Sequence, residues 1–155
     1  MPTPYESAQL NLRLFELRRE PLLREARAWF LGAFHPTTFA ECVALAGGPH
    51  NASFRMVLGY WDMAASLVTG GAVDADAFHA AHGEIVSAFA LVAPFLDELR
   101  TATGEAGFCR HVEAVVLARP DAAAALARRR AQLHAAAARG IAATAATAAT
   151  TAPPA

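Results

Sequence analysis

There is no lysine in this chain: all 13 basic residues are arginine. Beside a marked alanine excess, that pattern reads as a coding bias toward GC-rich codons, so arginine number alone carries no argument for phosphate recognition. A formal net charge of -1 adds no whole-molecule attraction to nucleic acid or anionic lipid. Long apolar runs are scarce as well. The stretch 85–96 is broken by Ser87 and carries Pro94, and nothing approaches the ~20 apolar residues of a membrane span. The opening residues MPTPYESAQ have neither a basic start nor an apolar core, which predicts no secretory signal and a cytoplasmic protein. Cysteine is limited to Cys42 and Cys109, and free thiols are expected there. Missing too are a Gly-rich phosphate loop, a Gly-x-Ser-x-Gly elbow and a Cys-x-x-Cys pair. Without them the commonest enzyme classes drop out, and no cofactor is expected.

What the chain does have is helical periodicity. Residues 54–68, FRMVLGYWDMAASLV, are apolar on nearly every side: Phe54, Val57, Leu58, Trp61, Ala65 and Val68 make one stripe, flanked by Met56, Tyr60, Met63, Ala64 and Leu67. Arg55, Gly59, Asp62 and Ser66 fall on a narrow polar line down the same cylinder. In a bundle, such a line must be answered by neighbouring helices. Asp62 is expected to meet Arg24 or Arg27, and Arg55 a carboxylate such as Glu25 or Glu84.

Around that helix the pattern divides as follows. Residues 5–34 carry one apolar phase across Pro21, which fits either a single bent helix or two helices with Pro21 in the first turn of the second; the continuous form is favoured. Thr38 and Glu41 suggest a capping box before a short helix over 39–46, and Gly47-Gly48-Pro49 stops it. Asn51 and Asp74 are candidate caps. A helix over 84–100 should bend at Pro94. A compact helix over 108–118 follows. The last helix, about 122–139, is alanine-rich with little to bury, so loose packing is expected, with Arg128, Arg129 and Arg130 as a solvated face. Residues 140–155 are a low-complexity Ala/Thr/Pro segment that predicts a disordered tail.

Chemistry-bearing clusters are few. Asp76, His79 and His82 stand at three-residue steps beside Glu84, a spacing that a metal site can use, but no second helix offers a complementary Glu-x-x-His pair, so surface histidines are the favoured reading. Cys109 and His111 point to different faces and do not form a nucleophile-base pair. Arg55, Tyr60, Trp61, Asp62 and Ser66 could line a small-molecule pocket, though a bundle-specifying ion pair is the favoured reading of Asp62.

The segments Leu17-Arg18-Arg19-Glu20, Arg27-Ala28-Trp29-Phe30, Phe54-Arg55-Met56-Val57 and the run from Tyr60 through Trp61-Asp62-Met63 to Val68 resemble an uncharacterised family of small helical bacterial proteins, a domain of unknown function. The likeness spans about residues 5–130; Pro21 and the tail look peculiar to this chain. It implies fold and bacterial origin, and no activity or catalytic residue. The expectation is therefore an all-α single domain over residues 1–139, a bundle of five to seven helices around a buried central helix at about 51–69. The favoured function is a non-enzymatic protein-interaction module, with an unknown protein partner met through Arg24, Arg27 and Trp29 or with self-association through spare apolar surface. A ligand-binding bundle or unfamiliar enzyme with its pocket near Trp61 and Asp62 is the alternative. Neither nucleic acid nor membrane insertion is expected.

Overall fold

α4 (Asn51–Thr69) spans the apolar pattern of residues 54–68 and matches the helix expected at about 51–69. In the computed structural model, the backbone is described for residues 3–150 and side chains for residues 3–144. Phe54, Val57, Leu58, Tyr60, Trp61, Ala64 and Ala65 are buried along α4, and α2 (Pro21–Ala33) and α8 (Arg110–Leu117) pack against it. An aromatic cluster seals the α2 contact: Phe34 lies 4.9 Å from Phe30 and 5.2 Å from Phe54 between ring centroids. Trp29 closes its edge, stacked 4.7 Å from the ring of His50.

α4 is nevertheless not enclosed all round. Arg55, Met56, Gly59 and Met63 are exposed, so the upper part of the expected polar line is the open edge of the helix rather than a buried seam. The most enclosed helix is α6 (Glu84–Val92), buried at every position from Ile85 to Val92 except Val86. It earns that place because α2, α4, α8 and α9 (Ala122–Thr150) all pack on it.

Pro21 divides the first region into two helices, α1 (Pro4–Arg18) and α2, so the favoured continuous helix gives way to its alternative. Pro21 occupies the first turn of α2, where a missing N–H removes no helical bond. The Glu20 carboxylate caps that turn by accepting from the Leu23 N–H at 2.9 Å. α3 (Phe39–Gly47) starts at Thr38, whose hydroxyl accepts from the Glu41 N–H at 3.2 Å. Glu41 completes the motif one residue early, accepting from the Thr37 N–H at 2.8 Å. Asn51 does not cap α4; its amide donates instead to the Ala46 carbonyl at 2.7 Å. Asp74 does cap α5 (Ala75–Ala81), accepting from the Ala77 N–H at 2.9 Å.

α6 continues through a 3-10 turn, Ala93–Phe95, into α7 (Leu96–Thr103), the bend that Pro94 predicts. α7 ends at Gly104, whose φ of 72° is left-handed. A side chain there is strained by roughly 1–2 kcal/mol, so Gly104→Ala is expected to lose about 1 kcal/mol in urea unfolding; an unchanged midpoint would mean the turn relaxes.

The architecture is thus all-helical, and the expected bundle is divided more finely by short breaks at Pro21, His82-Gly83 and Pro94. α9 differs most from expectation. It passes Gly140 and runs to Thr150. One helical glycine costs only about 1 kcal/mol among alanines, and the Thr144 hydroxyl donates back to the Gly140 carbonyl at 3.0 Å. The end of the expected tail, residues 151–155, lies outside the described residues. Along its first half α9 rests on α6 through half-buried Leu126 and Leu133, with no residue fully buried. Arg129 Nε donates to Ser87 Oγ at 2.7 Å and Arg130 Nη2 to the Pro36 carbonyl at 2.6 Å; Arg130 is half-buried, while Arg128 and Arg129 are exposed.

Candidate functional site

α1 is attached to the body largely through polar contacts. Only Ser7 and Leu14 are buried along it, and what fastens it is a set of polar clasps. Ser7 Oγ accepts from the Asp74 N–H at 3.0 Å, and the Tyr60 hydroxyl donates to the Leu14 carbonyl at 2.6 Å. Arg27 Nη1 donates to the Arg18 carbonyl at 3.0 Å. Asn11 Oδ1 lies 3.1 Å from His82 Nε2, which places that ring's proton on Nε2. Burial depresses the His82 pKa and raises that of Tyr60 to about 12, so both clasps stay neutral at pH 7.

Because the clasps hold one side of α1, its large apolar residues are left on the other. Tyr5 is 72%, Leu12 59% and Phe15 43% exposed. Helical spacing puts Tyr5, Ala8, Leu12, Phe15 and Arg19 on one flank. The guanidinium groups of Arg18 and Arg19 sit 5.4 Å and 5.8 Å from the Phe15 ring. Alongside runs a groove of about 780 Å³ between α1 and the segment leading into α5, walled by Ala8, Leu12, Val73, Ala75 and Ala77 with Asn11 and Asp74 as polar groups. Exposed large side chains thus border a hollow with small walls.

The residues singled out from sequence are distributed differently. Arg24 is exposed, but Arg27 is engaged through both arms of its fork: Nε donates to Glu84 Oε1 at 2.6 Å and Nη2 to Oε2. Hydrogen bonding to Glu84 raises the Arg27 pKa further. Trp29 is half-buried in the aromatic cluster. Of the pocket candidates, Trp61 is wholly buried and Tyr60 nearly so. Ser66 turns back on its own helix, donating to the Met63 carbonyl at 2.6 Å, and Arg55 faces solvent.

Asp62 meets neither Arg24 nor Arg27. Its Oδ1 accepts from the backbone N–H groups of His111 and Val112, at 2.9 Å and 3.0 Å, at the start of α8. A carboxylate there satisfies donors that have no helical partner and faces the positive end of the helix dipole. The hollow beside it, lined by Gly59, Asp62, Gly107 and Cys109 among others, holds about 230 Å³, below the usual range of ligand pockets.

Asp76, His79 and His82 do not converge. Asp76 is exposed, His79 half-buried, and the His82 ring is turned into the core, 4.8 Å from Phe78 and 6.2 Å from Trp61. Among the described residues no group of three or more His, Cys, Asp and Glu side chains is placed to hold a metal ion. Burial pushes the Cys42 thiol up to about 11 and that of Cys109 to about 12. Neither is a thiolate at neutral pH. Among the described residues no helix is long and apolar enough to cross a membrane.

Residues 5–118 match a family model, Domain of unknown function (DUF4760). The match ends before α9. No curated protein and no solved structure matches the chain.

Proposed function

Since the chain belongs to this family, whose description assigns no activity, we propose from its geometry that it is a non-enzymatic interaction module that pairs with a second copy of itself through α1. The observation carrying this reading is the helix tied down by hydrogen bonds on one side while Tyr5, Leu12 and Phe15 lie open on another.

An antiparallel pair centred on Leu12 fits the residue order. It sets the two Leu12 side chains together, Tyr5 over Arg19 of the partner copy, and Phe15 on the small Ala8 of the partner copy. It also crosses the acidic end of one helix, Glu6, with the basic end of the other, Arg18 and Arg19, and opposes the helix dipoles. The groove walled by alanines takes up the larger side chains at the edge. At 1.5 Å per residue α1 is about 22 Å long, giving roughly 220 Å² of contact per copy for a strip ~10 Å wide. Even with the α5 wall the total stays below about 1,000 Å², the lower limit of a stable specific interface. The pair is therefore reversible, with a Kd in the micromolar range.

Sedimentation velocity tests this reading. The protein is expected to dimerise reversibly near 10 μM, and Leu12→Arg to raise Kd at least tenfold, about 1.4 kcal/mol, with an unchanged melting temperature because Leu12 supports no core. A monomer at ~500 μM, or a dimer indifferent to Leu12→Arg, overturns it. The alternative pocket beside Trp61 and Asp62 has less in its favour: the indole is sealed and the adjoining hollow small.

A further inference from the structure

Two imidazoles meet where α9 crosses the end of α2. The rings of His35 and His134 lie edge to face, 5.3 Å between centroids. His35 Nε2 is 2.9 Å from the Leu31 carbonyl, so that nitrogen carries the proton. Its Nδ1, and Nε2 of His134, are buried without a hydrogen-bond partner. Beside both rings stands Arg130, held by the carbonyls of Pro36 and Leu91 and by the Phe95 ring, 5.2 Å away.

We propose that His35, His134 and Arg130 form an acid-operated latch: α9 stays docked on the bundle while both imidazoles are neutral and is released when they gain protons. The geometry makes neutrality a condition of docking. A proton on His35 Nδ1 or His134 Nε2 would be a buried donor without an acceptor, and each new charge would join a cation already present. No carboxylate faces the pair to compensate, and the backbone carbonyls at His35 offset burial only in part. α9 contributes Arg130 and each ring the other; α3 contributes Cys42, a neutral buried thiol; α7 contributes Glu98, an exposed carboxylate whose charge acts on Cys42. α2 and α6 present backbone groups only, from Leu31, Gly32 and Leu91. Release uncovers Ser87 and Leu91 of α6, a surface otherwise closed.

The sign follows from proton linkage. Burial, with Arg130 beside, lowers the pKa of both histidines from the ordinary 6.5 in the docked state. The released helix binds more protons, so docking is at full strength above about 6.5 and is lost as pH falls below it toward the docked values. At pH 5.5 each histidine weakens docking by up to about tenfold.

Hydrogen-exchange mass spectrometry on the whole protein, corrected for intrinsic exchange rates, reads this directly. Between pH 7.5 and 5.5, protection of residues 122–139 is expected to fall at least tenfold more than that of residues 51–69. His35→Gln with His134→Gln should abolish the difference. The internal comparison is needed because His79 and His82 also have lowered pKa values and loosen the body in acid. Protection of α9 that does not change relative to α4, or a step that survives in the double variant, overturns the latch. Should the double variant fail to fold, imidazole NMR on the unaltered protein decides: both rings titrating below 6.5 in step with α9 release supports it, and titration at or above 6.5 with α9 still docked overturns it.

Discussion

Glu84→Ala is expected to lower the unfolding free energy by about 2–4 kcal/mol, while Arg27→Met combined with Glu84→Leu recovers most of that loss. The asymmetry comes from where the pair sits. The Arg27 and Glu84 side chains are only 17% and 18% exposed, and the fork meets the carboxylate through two parallel bonds, Nε to Oε1 and Nη2 to Oε2. Removing the carboxylate leaves a guanidinium largely out of water with no counter-ion, and that unpaired charge is the main cost. Replacing both groups by apolar side chains of similar volume leaves nothing unpaired and lets α2 pack on α6 directly. Because some water still reaches the pair, the single-variant loss falls below the 3–5 kcal/mol of a fully buried bridge. A urea double-mutant cycle measures it; a single-variant loss under about 0.5 kcal/mol would class the pair with surface bridges. Arg27 also holds the last turn of α1 through the Arg18 carbonyl. Arg27→Met alone should therefore loosen the end of α1 that carries Phe15 and weaken self-association as well as stability.

How far the sequence could lead is clearest in the contrast between apolar and polar positions. Hydrophobic spacing over residues 54–68 located the body of α4 and put Trp61 in the core, since burial of large apolar surface is non-directional and follows helical period. The bend at Pro94 and the Asp74 cap were legible too, each being a local rule of one residue type. Polar partners were not. Arg27 and Glu84 are 57 residues apart, and choosing Glu84 over other carboxylates requires knowing which helices adjoin. The clasps on α1 have the same character: Ser7, Asn11 and Tyr60 each answer a group far along the chain, so nothing in the local pattern marks them. The solvated-face reading of the α9 arginines holds for Arg128 and Arg129, which are exposed, and fails at half-buried Arg130 for a related reason. Three in a row fan around a helix, yet Ser87 and the Pro36 carbonyl lie where two of them reach. Pro21 fitted either of two arrangements by periodicity alone, and the Glu20 cap on the next turn decides between them.

Asp62→Ala is expected to cost about 2 kcal/mol, and Asp62→Asn less than half of that. Both values follow from what the carboxylate touches. Two backbone donors, at His111 and Val112, converge on Oδ1 at a half-buried helix start. Alanine strands both, and loss of a capping side chain costs roughly 0.5–2 kcal/mol, toward the upper end where water has limited access. Asparagine keeps a carbonyl oxygen in the same place and loses only the charge facing the helix dipole, about 0.3–1 kcal/mol. Had Asp62 held a buried arginine, as sequence spacing suggested, asparagine would have cost nearly as much as alanine, because a neutral amide does not answer a buried cation. The ratio of the two losses therefore identifies the partner without a structure. Local consequences differ as well: the αL residue Cys109, with φ of 55°, precedes the capped turn, and Arg100 holds the Phe108 carbonyl at 3.0 Å and Glu113 at 2.7 Å from the other side. With Asp62 gone, hydrogen exchange is expected to rise first at His111 and Val112 while α7 stays protected, since the Arg100 contacts remain. Equal losses for the two variants, or exchange that rises uniformly through the domain, would remove the cap as the explanation.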